Sequence, residues 1–134
     1  IHGIDAGRVA GAPSIADVWD ELTAALADRI VVGHHIGFDL AILAAEARRI
    51  RQPWQEPASL DTAAMAAGLG LPVDRLDLVD LLVRLGARPR GERHTAAGDA
   101  LMAADLFVAI AHRLRSQQRA TLGGAVGLQR GPLA

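Results

Sequence analysis

No cysteine occurs among the 134 residues, and no lysine either: all fourteen basic residues are arginine. The first absence excludes disulfides, thiolate metal sites and a cysteine nucleophile, and is compatible with a reducing, cytoplasmic setting. The second is read first as a coding bias, although guanidinium groups suit phosphate contacts. No apolar run nears the roughly 18 residues of a membrane span, and the opening residues lack the basic-then-apolar order of a signal peptide, so no membrane partner is expected. Charge of one sign is also lacking. Fourteen basic against fifteen acidic residues leave a net charge of -1, so nucleic-acid binding would have to come from local clustering, not from a basic field. What is present is apolar surface: 51% hydrophobic residues in the length of one domain are enough for a globular core.

Residues 1–13, rich in Gly and Ala, read as a loop or a frayed strand end, with His2 a bystander. Ser14 then precedes Ile15, Val18, Trp19, Leu22 and Leu26 at helical spacing, with Asp17 in a capping-box-like place, and predicts an amphipathic helix whose Trp19 and Leu22 are core. The β-branched run 29–33 ends in Gly33 as a buried parallel strand does, a helix is expected over 38–51, and a second strand over 58–61. That strand, helix, strand unit predicts an α/β fold with a right-handed parallel crossover. Further helices are expected over 62–67, 77–85 and 95–115, and 116–134, with its many glycines, reads as a flexible tail or linker. Two strands are few for the sheet of an α/β domain.

Chemistry concentrates in two segments. Strand ends are where α/β proteins place ligands, and Gly33 ends the first strand just before Phe38 and Asp39. At about 100° per residue Asp39 heads the stripe of Ile42, Leu43, Ala47 and Ile50, so its carboxylate is expected to face the sheet; the plainer alternative is that it favours the helix N-terminus electrostatically, and Glu46 shares the face. In the second segment Met102, Leu106, Phe107, Ile110 and Leu114 form an apolar stripe, with Asp99 expected near it and Asp105 on the solvated side. A buried carboxylate needs a partner, for which a divalent cation is a candidate. His94, in the loop before that helix, is placed to aim its imidazole at the same pocket, and Arg88, Arg90 and Arg93 in that loop are candidates either for phosphate contact or for simple solvation.

Gly33 to Asp39 (GHHIGFD) paired with Arg93 to Ala100 (RHTAAGDA) resembles the second and third motifs of the DEDDh family of 3′→5′ exonucleases. Their order, their separation and the strand end at Ser59, Leu60, Asp61 and Thr62 resemble the proofreading subunits of bacterial replicative polymerases, over roughly residues 1–114. The resemblance implies an RNase H-like fold with a mixed sheet and two divalent cations, Mg²⁺ or Mn²⁺. It implies hydrolysis of nucleotides from 3′ ends, with Asp99 and Asp39 serving the metals, His94 taking the proton of the attacking water, and His34, His35 and Phe38 meeting the substrate. The partners expected on this footing are single-stranded or frayed DNA 3′ ends, with RNA as an alternative, and a polymerase or other domains of the parent protein.

Two departures qualify this. His35 stands where the family usually has Asn, so a loop-fixing role and a substrate contact both remain open. The family's first motif, Asp-x-Glu on an opening strand, occurs nowhere in the sequence. Together with the opening Ile1 and the shortage of strands, its absence makes an excised fragment the expectation: residues 1–115 as the C-terminal two-thirds of an exonuclease domain, with the first three strands absent and metal ligation incomplete. A non-catalytic relative, kept as a nucleic-acid-binding or protein-interaction module, is the competing expectation.

Overall fold

A computed structural model describes residues 3–131; Ile1 and His2 of the expected opening loop, and 132–134 of the expected tail, lie outside the described residues. The β-branched run forms strand β1, Val31–Gly33, which pairs in parallel with β2, Ser59–Asp61. Both are shorter than the sequence suggests, because pairing starts only where the Val31 amide meets the Ala58 carbonyl at 2.9 Å. The register sets Gly33 beside Asp61, so both strands end at one level. Among the described residues this two-stranded sheet carries helices α1, Ala6–Val9; α2, Trp19–Leu26; α3, Ile36–Ile50; α4, Thr62–Gly68; α5, Leu78–Arg84; α6, Ala96–Ser116; and α7, Leu122–Gln129. The class is α/β, with a parallel pair joined through α3.

The opening segment differs from the expected loop by the single turn of α1, capped by Asp5. α2 starts four residues later than Ser14 and Ile15 suggest. The Asp17 carboxylate does accept bonds from the Ser14 amide and hydroxyl, at 2.8 and 2.6 Å, but the bonds close a local turn instead of opening a helix. Trp19 is buried against Trp54, ring centres 5.9 Å apart.

The core gathers Leu60 of β2, Met65 of α4, Leu81 and Leu82 of α5, and Met102, Leu106, Ile110 and Leu114 of α6. The α6 stripe is the one read from the sequence, with Phe107 at its partly exposed margin. α3 is phased differently from expectation. It opens at Ile36, and Leu40, Leu43 and Ala47, at i, i+3 and i+7, turn inward while Ile42 is 63% exposed. Asp39, about 100° from Leu40, therefore faces solvent and not the sheet, which corrects the expectation for that carboxylate.

The largest difference lies in the expected flexible tail, which folds as α7 and buries Ala125 and Leu128 in the core. Of its glycines Gly124 is closely packed, a β-carbon there falling 2.0 Å from the Arg119 carbonyl oxygen, and α7 meets α4 through Gly68 of α4, where the carbonyl oxygen of Leu128 lies 2.0 Å from the place of a β-carbon. Gly68→Ala should thus push α7 away from α4 and destabilise the fold by about 1–3 kcal/mol. An unchanged urea midpoint would show that the two helices do not meet this way.

Candidate active site

The aligned strand ends organise one half of the site. After Gly33 the chain turns through His35, whose φ of +57° is left-handed, before α3 begins. Asn and His are among the few residues besides Gly that tolerate this region, which accounts physically for His at a position where Asn is usual. Asp61 fixes the turn: its Oδ1 accepts the His35 amide at 3.0 Å and the Ala63 amide at 2.9 Å, so one carboxylate caps α4 and holds the β1–α3 loop. Its own amide donates to Gln129 Oε1 of α7 at 2.6 Å. In the sequence Asp61 stands only as part of a strand end, and the signal for its capping role is an Asp immediately before a helix.

Thr62, fully buried, donates its hydroxyl proton to the Gly33 carbonyl at 3.2 Å, so towards His34 it acts as an acceptor and His34 Nδ1, at 3.0 Å, carries the proton. Neutral His34 thereby keeps Nε2 as its unprotonated nitrogen. Burial and then the neighbouring His35 lower the His34 pKa from its ordinary 6.5, against a smaller opposing pull from Asp61 and Asp77. The folded state holds the proton less well than the unfolded chain. The stability from neutral His34 is therefore complete above about pH 6.5 and is lost as pH falls through the folded value. An NMR titration should give a His34 midpoint below 6.5; one at or above it would contradict the burial account. The His34 and His35 rings meet edge to face at 4.6 Å, His35 and Phe38 at 6.5 Å, and Phe38 is 76% exposed, an aromatic face open to a stacking partner.

The other half sits at the start of α6. Thr95 caps that helix, accepting the Gly98 amide at 3.1 Å and donating to the Glu92 carbonyl at 2.7 Å. Asp99 is half-buried, and its Oδ1 accepts the His94 amide at 3.2 Å, tying the two residues together through backbone while the His94 side chain is exposed. No cation pairs with Asp99 among the described residues. Asp105, expected on the solvated side, is only 16% exposed at its side chain and is paired with Arg90. Arg93 pairs with Asp77 at 2.8 Å, so two of the three loop arginines are engaged within the protein. α6 packs against β1, but the structure does not bring Asp39, His94 and Asp99 into one cluster: among the described residues no three His, Asp or Glu side chains group as metal ligands. A cleft of about 770 Å³ is lined by residues that precede the strands, Ile30 and Ala58 among them, and lies away from the strand ends that carry these groups.

A family model described as Exonuclease (RNase T) matches residues 1–107. The chain belongs to this exonuclease family. The family is generally dependent on divalent metal and acts on nucleic acid, and it implies the RNase H-like fold, of which the helices and the parallel strand pair are consistent parts. A Rhodobacter capsulatus protein named DNA polymerase III subunit epsilon-like protein is 31% identical over 127 residues, 94% of this chain and 18% of the relative. A Mycobacterium tuberculosis protein bearing the name putative bifunctional exonuclease/endonuclease protein is 33% identical over 119 residues, 87% of this chain and 18% of the relative. The chain thus spans about a fifth of the length of the curated relatives it matches. No solved structure matches it. No helix among its described residues is long and apolar enough to cross a membrane.

Proposed function

We propose that the parent protein is a metal-dependent 3′→5′ exonuclease that hydrolyses phosphodiester bonds at single-stranded or frayed DNA 3′ ends, and that this chain carries part of its active site. The observation that carries the reading is Asp99, a half-buried acid without a cationic partner among the described residues, bound at Oδ1 to the amide of His94. A carboxylate held in that way leaves Oδ2 as a hard oxygen donor of the kind Mg²⁺ or Mn²⁺ prefers. The donor set fits a share of a two-ion site and not the whole of one. Asp99 would hold one ion directly and exposed Asp39 would support the second, and further ligands are needed from elsewhere in the parent protein. When bound, such ions lower the pKa of an attacking water and stabilise charge on the phosphate.

The chain's own residues take the remaining tasks. His94 accepts the proton of the attacking water from its exposed loop. Phe38, with His35 behind it, offers a stacking face for a terminal base, and His34 presents its unprotonated Nε2 as a hydrogen-bond acceptor for substrate. A polymerase or other domains of the same parent are the protein partners that suit proofreading or repair.

The test is degradation of 5′-labelled single-stranded DNA by the whole protein in Mg²⁺ or Mn²⁺. The labelled strand should shorten stepwise from its 3′ end and release mononucleotides. Label released first as a mononucleotide would reverse the polarity, and faster cleavage of the matching RNA would make the enzyme an exoribonuclease. The absence of a grouped metal site among the described residues favours a second reading, a non-catalytic nucleic-acid-binding or protein-interaction module; binding of DNA without turnover by the whole protein would select it.

A further inference from the structure

We infer that Arg90 and Asp105 form a latch that positions the loop carrying His94, an inference that rests on the exonuclease reading above. Gly98 and Asp105 stand seven residues apart on α6, two turns along one face of that helix, and the loop lies on that face. The seating is backbone on backbone. A β-carbon on Gly98 would sit 1.9 Å from the Glu92 carbonyl oxygen, and one on Gly91 would sit 2.8 Å from Gly98 Cα. Gly91 has φ of +83° and His94 of +62°, so the loop takes the left-handed conformation twice beside the first turn of α6.

The loop is pinned at both ends, and Arg93 ties it to Asp77 at 2.8 Å between them. At the far end the Thr95 hydroxyl binds Glu92 and the His94 amide binds Asp99. At the near end Arg90 grips Asp105 with two parallel bonds, Nε to Oδ2 at 2.8 Å and Nη2 to Oδ1. A guanidinium fork on a carboxylate fixes direction as well as distance, which a lysine cannot do. Because Arg90 is 65% exposed at its side chain, the pair adds little to global stability, and its consequence is where the loop sits. His94 and Asp99 are set relative to each other through that loop, so the latch acts on the chemistry without touching substrate.

The alternative use of Arg90 is direct phosphate contact, since it lines a shallow cleft of about 360 Å³ with Arg88 and His112. The two uses separate kinetically. In the whole protein Asp105→Asn should lower kcat on single-stranded DNA by about tenfold to a hundredfold, the scale of a small misplacement of reacting groups, with KM within about twofold of wild type. Arg90→Lys should do the same, whereas Asp105→Glu, which keeps the carboxylate, should restore most of kcat. Below the unfolding transition a purely stabilising pair would leave kcat untouched. Wild-type kcat in Asp105→Asn, or a raised KM with normal kcat in Arg90→Lys, overturns the latch. Amide exchange makes the result independent of activity: the His94 amide should exchange at least tenfold faster in Asp105→Asn than in wild type, and equal rates refute the latch even if the protein proves to be no nuclease.

Discussion

Asp99→Ala in the whole protein should cut nuclease turnover by at least about a thousandfold, equivalent to roughly 4 kcal/mol of transition-state stabilisation. The size follows from two losses at once. Alanine removes a half-buried carboxylate that pairs with no cation among the described residues, and it removes the oxygen that holds the His94 amide. Asp99→Asn separates them, because the amide oxygen can still accept from His94 while the negative charge is gone. Both variants should be comparably inactive if charge toward a metal ion dominates, and only alanine should loosen the loop, read as faster exchange of the His94 amide. Turnover of Asp99→Asn within a few-fold of wild type would remove Asp99 from the metal site. The isolated 134 residues, with Asp39, His94 and Asp99 not gathered into one cluster, should show little or no metal-dependent activity in the same assay.

Leu106→Ala should produce the largest loss of stability, about 2–5 kcal/mol, the usual range for a fully buried leucine cut back to alanine. Leu106 has no exposed surface and lies midway along α6, the helix that packs against β1, α4, α5 and α7. Among the described residues the sheet beneath it has two short strands, which offer little to close over the lost volume. Domains of this size are stable by only about 5–15 kcal/mol, so the variant should melt much earlier than wild type. Val108→Ala, at a residue 51% exposed on the same helix, is the control and should change the midpoint little. Equal effects from the two would mean that α6 does not face the core as described.

The parts legible in the sequence share a cause. The α6 stripe and the β1 and β2 segments rest on spacing between near neighbours, and local geometry transmits that spacing into structure with little room for alternatives. Family membership was legible for the same reason: GHHIGFD and RHTAAGDA are short runs whose order survives without any knowledge of contacts. Where the local rule was ambiguous the reading failed. The α3 face admitted two phases, and the burial of Leu40 decided against the one that turned Asp39 inward. The glycines of 123–131 matched a linker by composition, yet the segment folds as α7 against Gly68 of α4, a contact that no single segment reveals because its two sides lie sixty residues apart.

The sequence by itself determined the class of fold and the inward stripe of α6, and it nominated His34, His35, Phe38, Asp39, His94 and Asp99 as candidates, because each depends on residue type and short spacing alone. Tertiary structure decided what those residues touch. It set Asp61 under His35, Thr62 under His34, Asp105 on Arg90 and Gln129 of α7 on the Asp61 amide, pairings separated by 15 to 68 residues. Such contacts depend on how helices lie on the sheet, and that is settled by the packing of the whole core.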